Sequence, residues 1–270
     1  MKLLPFTRMR TKLQFWIKAQ EIEKWIGQTQ FFFILAIGRS GTTFLADLLK
    51  KATDAAIFHE PVHEDYQAYL RAFHNPDDAK RYIDNFRKKE MYLRVRDKEF
   101  MIFGEVNSLL RRHVIPLKDA FPNATMIHLI RDGREVVRSM MSRNTMTVKD
   151  KHTFGIRPKE GDPWREKWDE LDQFARICWY WQVENAYLRS VMPPAIKFED
   201  IILDYDEFKE KVLNPCHIYI TKNVWEEAVN HPVNRSKAYQ MPRWAEWSRD
   251  QKKIFEDICS KEMIAGGYDI

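Results

Sequence analysis

Phe31-Phe32-Phe33-Ile34-Leu35-Ala36-Ile37-Gly38-Arg39-Ser40-Gly41-Thr42-Thr43-Phe44-Leu45-Ala46-Asp47-Leu48-Leu49 is the stretch whose reading decides the fold. Its first seven residues are apolar without interruption, the mark of a strand covered on both faces, as in parallel sheets. Two glycines three residues apart follow, and then a segment of helical character. Strand, glycine loop and helix in that order make an anion site. The first helical N–H groups have no partner within the helix, the helix dipole is positive there, and glycine lets the backbone approach a ligand closely. Thr42 and Thr43 add hydroxyls, and Arg39 adds a planar, permanently charged fork. The loop is not a Walker A sequence, since Thr42 follows Gly41 where that motif has lysine. The cation stands before the second glycine instead, which weakens an ATPase or ordinary kinase reading.

Working outward, further strands are expected at Ile57-Phe58, just before His59-Glu60-Pro61, at Met101-Ile102-Phe103, at 125–130 and at Ala195-Ile196-Lys197-Phe198. Between them, helical spacing of apolar residues predicts one or two surface helices over 64–98 and helices over 107–120, 134–143 and 166–190. Others are expected near 205–213, 223–230 and 247–264, the last stopped by Gly266-Gly267. Strands alternating with helices imply a parallel α/β sheet. Residues 144–165 are the least regular stretch and read as a mobile surface loop, and 231–242 reads as a polar loop. Residues 1–28 read as a basic amphipathic helical extension, with Leu13, Trp16, Ile17, Ile22, Trp25 and Ile26 set among lysines. Such a helix suits the domain's own edge first, and a membrane surface or partner second. The remaining residues, 29–270, read as one α/β domain.

Composition sets the outer bounds. With 270 residues, 44% hydrophobic and 31% charged, the chain can bury a core without staples and is not a disordered type. A formal charge of +5 is mild, and suits a small anionic ligand better than nucleic acid. Cys178, Cys216 and Cys259 are odd in number and lack metal-ligand spacing, which argues against a disulfide framework and for a reducing compartment. The longest apolar run, 31–37, is far short of a membrane span, and the N-terminus lacks the apolar core of a secretory signal. The expected location is therefore cytoplasmic, with peripheral membrane contact through 1–28 as the variant.

A second segment joins the first. Leu129-Ile130-Arg131-Asp132-Gly133-Arg134-Glu135-Val136-Val137-Arg138-Ser139 places an arginine at a strand end and a serine eight positions later, about two turns into a helix. The carboxyl ends of parallel strands are where open α/β sheets bind ligands, and a charged fork with a hydroxyl can grip one phosphate from two sides. Together, the two segments resemble the sulfotransferase family. The loop at 38–45 looks like that family's site for the 5′-phosphosulfate of 3′-phosphoadenosine 5′-phosphosulfate (PAPS), with arginine at 39 as in its carbohydrate and bacterial branches. Arg131 and Ser139 fit its 3′-phosphate segment. Lys197-Phe198-Glu199-Asp200-Ile201 resembles the family's aromatic-Glu-Asp-Leu segment, which looks structural. The run from Asn234-Arg235-Ser236-Lys237 through Trp244 and Cys259 to Gly267-Tyr268 resembles its closing loop and helix.

The resemblance implies a P-loop-like sheet and transfer of a sulfuryl group from PAPS to a hydroxyl or amine of an acceptor, tilted toward carbohydrates and polar metabolites. Arg39, Ser40, Gly41, Thr42 and Thr43 would hold the 5′-phosphosulfate, and Arg131 and Ser139 the 3′-phosphate, with Arg235, Ser236 and Lys237 near the nucleotide. No metal is required. The alternatives are a phosphotransferase with a degenerate loop, or a non-catalytic nucleotide-binding or membrane-peripheral protein of the same fold.

The acceptor proton needs a base within hydrogen-bond reach. Glu60, in a Glu-Pro pair similar to that of carbohydrate and bacterial members, is the first candidate. His59 is the second, followed by Glu105, His63 and His128. His59-Glu60-Pro61-Val62-His63 also matches the zinc pattern H-E-x-x-H, but Pro61 is tolerated only near a helix start, which would leave His59 outside the helix. Trp179, Tyr180 and Trp181 are expected in the core, because three neighbours on a helix point in different directions. The irregular stretch, with Arg157, Lys159 and Trp164, is the candidate acceptor-binding lid.

Overall fold

The computed structural model describes residues 19–98, 100–147, 149–150, 155–231 and 241–270. The expected N-terminal helix before residue 19, and Arg235, Ser236 and Lys237, lie outside the described residues.

Five parallel strands form one sheet: β1 (Gln30–Leu35), β2 (Ala55–His59), β3 (Ile102–Asn107), β4 (Thr125–Ile130) and β5 (Ile196–Lys197), in the order β2-β3-β1-β4-β5. β1 is central, with Phe33 in register with Glu105 on one side and Met126 on the other. Its apolar run is divided between the two faces. Phe32, Ile34 and Ala36 enter one core cluster, and Phe31, Phe33 and Leu35 enter another. Period-two alternation within an all-apolar segment is what a strand with helices on both faces requires.

The helices in chain order are α1 (Ala19–Gln28), α2 (Thr42–Leu49), α3 (Asp65–His74), α4 (Pro76–Tyr82), α5 (Lys88–Val95), α6 (Val114–Ala120), α7 (Gly133–Met141), α8 (Gln173–Val191), α9 (Phe198–Leu203), α10 (Tyr205–Phe208), α11 (Lys222–Asn230) and α12 (Arg249–Ala265). α1 packs on the domain's own edge, where Ile22 is buried and the Trp25 ring meets Phe31 edge-on at 4.9 Å. Trp179, Tyr180 and Trp181 are all buried in the core around α8. The chain leaves β1 toward β2 and leaves β4 toward β5, on opposite sides. Such a reversal opens a crevice at the carboxyl ends of the strands.

The structure redraws several boundaries. The 64–98 stretch is three helices joined through a π-helical turn, Ile83–Arg87, and it is not only surface. Asp65, Arg87 and Glu90 are buried, because Arg87 pairs with Asp65, Glu90 and Glu105. The 205–213 helix is one short turn, α10, followed by a second π-helical turn, Lys209–Leu213. Arg111–His113 is 3-10 before α6 begins. β2 continues through His59, so that H-E-x-x-H is a strand end and a turn, not a helix. In the irregular stretch, Met146 and Ile156 are buried in the α8 core, and Asp162 accepts from the Trp179 indole N–H at 2.8 Å. The segment has no apolar periodicity because it is anchored by isolated side chains, not by a repeating face.

Candidate active site

Arg39, Glu60 and Arg131 stand just past the carboxyl ends of β1, β2 and β4, and Ser139 lies on α7. After β1, the chain turns through Arg39 at φ 73° and Gly41 at φ 90°, both left-handed, and Gly41 caps α2. A Cβ at Gly41 would lie 2.2 Å from the Phe198 ring, so the position requires glycine for space as well as for φ. Thr42 and Thr43 open α2, Thr42 buried and Thr43 half-buried.

The two segments singled out in the sequence meet here. Arg39 Nε donates to Ser139 Oγ at 2.9 Å, and Arg131 Nη1 donates to the Arg39 carbonyl at 3.2 Å. The Arg131 guanidinium lies 5.3 Å over the Phe198 ring. Ser40 Oγ and Arg131 Nε are buried and have no hydrogen-bond partner among the described residues. Buried polar atoms are nearly always paired, and two orphans in one glycine-loop crevice are groups that a bound anion could satisfy. The turn bearing Arg131 is held from below: Asp132 caps α7, its N–H donates to Glu199 Oε1 at 3.1 Å, and Tyr268 OH donates to Glu199 Oε2 at 2.7 Å.

After β2, Glu60 adopts φ 41°, a conformation that costs a non-glycine residue energy and is concentrated at functional positions. Its Oε1 accepts from the Ser108 N–H at 3.1 Å and from the Ser108 hydroxyl. It is not at a helix start. His59 Nε2 lies 3.2 Å from Thr42 Oγ1 and 3.9 Å from Glu60 Oε1, so strand β2 brings both base candidates to the mouth of the β1 loop. Burial pushes the His59 imidazole below its usual range, with the Glu60 charge pulling the other way.

Of the other base candidates, Glu105 and His128 are engaged elsewhere. Glu105 is buried and bound by Arg87 at 2.5 and 2.7 Å. His128 is buried beside Asn185 Oδ1 at 3.3 Å, and burial lowers its pKa to about 4. His63 is exposed in the turn after Glu60. Among the described residues, no group of three His, Cys, Asp or Glu side chains could hold a metal ion.

A family model described as a sulfotransferase domain matches residues 30–244. The chain belongs to the sulfotransferase family. Among solved structures, it is similar to a sulfotransferase from Alicyclobacillus acidocaldarius at 15% identity, covering 88% of this chain and 96% of that one, with TM-score 0.51. It is also similar to the sulfotransferase STF9 from Mycobacterium avium at 12% identity, covering 92% and 82%, with TM-score 0.51. At these identities the likeness is one of fold: a P-loop-like parallel sheet flanked by helices. No curated protein matches the chain significantly. No helix among the described residues is long and apolar enough to cross a membrane.

The parts that two residues play at this candidate site escape sequence reasoning. Ser108 holds Glu60 yet sits in no motif; its only signal is its place immediately after β3. Phe198 was legible as part of an aromatic-Glu-Asp segment, but its contact with Gly41 and Arg131 appears only when β5 pairs with β4.

Proposed function

We propose that this sulfotransferase takes the sulfuryl group from PAPS and transfers it to a hydroxyl or amine of a carbohydrate or other polar acceptor. The observation that carries this reading is the joining of Arg39 to Ser139 and of Arg131 to the Arg39 carbonyl, which makes one crevice of two anion segments about 90 residues apart. In this reading, the α2 amides with Ser40, Gly41, Thr42, Thr43 and Arg39 hold the 5′-phosphosulfate. Arg131 and Ser139 hold the 3′-phosphate. Arg235, Ser236 and Lys237 are assigned to the nucleotide by the family resemblance alone.

Glu60 is the base. The acceptor oxygen forms the new bond to sulfur as its proton passes to the Glu60 carboxylate. The bond between sulfur and the bridging phosphate oxygen breaks, and its electron pair leaves on the 5′-phosphate. Ser108 fixes the carboxylate so that it need not reorganise, and the α2 N-terminus with Arg39 stabilises the charge left on phosphate. His59, bonded to Thr42, couples the donor loop to the base strand.

Calorimetry with 3′-phosphoadenosine 5′-phosphate (PAP) against ATP tests the donor. Tighter binding of PAP is expected, and equal or tighter binding of ATP would overturn the assignment.

A further inference from the structure

Three cations, Arg111, Arg112 and Lys159, gather near one carboxylate, Glu184. The 3-10 turn after β3 carries Arg111 and Arg112, and both pair with one carboxylate, Glu184 of α8. Arg111 Nε reaches Glu184 Oε2 at 2.7 Å, and Arg112 Nη2 reaches Oε1 at 2.8 Å. Arg111 and Glu184 are fully buried, and Arg112 is nearly so. Lys159 adds a further cation. Its ammonium stands 5.1 Å over the Phe73 ring, and the Arg112 guanidinium stacks on that ring at 4.7 Å and on Tyr187 at 4.2 Å. Among the described residues, Lys159 has no hydrogen bond or ion pair with a carboxylate; outside them the sequence offers a single acidic residue, Glu99.

The neighbouring acidic residues Asp65, Glu90 and Glu105 are paired with their own arginines, Arg87 and Arg94. Burial pushes the Asp65 carboxyl up to about 7, and its two oxygens are taken by Arg87, Tyr82 and Asn107. Burial, and then the charge of Arg112, hold the Lys159 ammonium below its usual range, against the opposing pull of Glu184. Lys159 is exposed and has no carboxylate partner among the described residues, so an incoming anion can reach it and pair with it.

Arg111, which shares Glu184 with Arg112, is tied to the base through Ser108. Ser108 donates its N–H and hydroxyl to Glu60, and its carbonyl accepts from Arg111 Nη1. The segment carrying Lys159 is docked on α3 on the same side, where His74 Nε2 meets the Gly155 carbonyl at 2.5 Å.

We infer that the acceptor is itself an anion, and that its carboxylate, phosphate or sulfate group is received by Lys159 and Arg112 between the Phe73 and Tyr187 rings. This deepens the proposed function and rests on it for the word acceptor; the anion site stands on its own geometry.

The test is calorimetry on the full chain saturated with PAP. It is titrated with matched pairs, D-glucuronate against D-glucose and 4-hydroxybenzoate against 4-hydroxybenzyl alcohol, and with inorganic sulfate as the free-anion arm. At least one anionic member is expected to bind about tenfold or more tighter than its neutral partner, the scale of one charged hydrogen bond. Lys159→Gln should abolish that preference and leave PAP affinity unchanged. Equal binding within both pairs, no detectable anion binding, or a preference that survives Lys159→Gln would overturn the inference. Inorganic sulfate binding as tightly as the organic anions would assign a free-anion site and overturn the acceptor role. If PAP itself does not bind, the donor reading fails separately. The same titration on nucleotide-free protein, compared with Lys159→Gln, still decides the anion site.

Discussion

Gly41 has a backbone φ of 90° and faces the Phe198 ring, so no side chain fits there. Gly41→Ala should cost about 1–2 kcal/mol for the left-handed backbone alone, with the clash added to it. It should lower the thermal midpoint and weaken PAP binding together. Arg131→Ala is expected to weaken PAP binding by about 1.5–3 kcal/mol by calorimetry, the range for a charged hydrogen bond. Glu60→Gln should leave that binding intact and lower kcat by about 10²–10⁴-fold in a labelled-PAPS transfer assay, the usual worth of a general base. Full activity in Glu60→Gln would place the base elsewhere. These residues were legible in the sequence because each belongs to a local motif. Ser108 was not, because a serine after a short strand has no local signature and acquires its role only from β2 lying beside β3.

Elements rather than residues set the stiffness of the Arg131 turn. The tail after α12 returns to the sheet, where Tyr268 OH binds Glu199, Glu199 binds the Asp132 amide, and Lys197 binds the Gly267 carbonyl. The aromatic-Glu-Asp segment that looked structural is thus a strut beneath a proposed ligand residue. Tyr268→Phe removes one hydrogen bond, worth about 0.5–1.5 kcal/mol. We expect a small loss of thermal stability and a weaker PAP affinity, because the mobile turn must then be ordered on binding. A loss of stability with PAP affinity unchanged would confine Tyr268 to the fold. The helix boundaries at 64–98 and 205–213 were misjudged for a related reason: π-helical turns carry no sequence period of their own and are set by what the flanking helices pack against.

At the scale of the whole molecule, two buried histidines contribute to the acid response. Burial lowers His113 to about 3, helped by the charges of Arg87 and Arg111, and lowers His128 to about 4, from an ordinary value of 6.5. Both are neutral in the folded chain between pH 6.5 and 4, while the unfolded chain takes up protons. Their contribution is therefore complete above pH 6.5 and is lost as the pH falls, at up to about 1.4 kcal/mol per pH unit for each group. Asp65, raised to about 7 from 3.8, works in the opposite sense over that window, since the folded chain holds a proton there that the unfolded chain has released. It offsets one of the two histidines. Urea unfolding at pH 6.5 and 4.5 should show a net decline, and His128→Asn should flatten it by about one proton's worth.

The sequence by itself determined the central strand, the glycine loop, the alternation that makes a parallel α/β sheet, and the two arginine segments. All of these are written in runs of neighbouring residues, through continuous apolar character, glycine placement or helical spacing. Only the tertiary structure decided that Arg39 would hold Ser139, that Phe198 would close on Gly41, and that Ser108 would carry both Glu60 and Arg111. It alone also decided that two arginines would share one buried glutamate with an unanswered lysine nearby. Those facts depend on strand order and on charges brought together from distant parts of the chain.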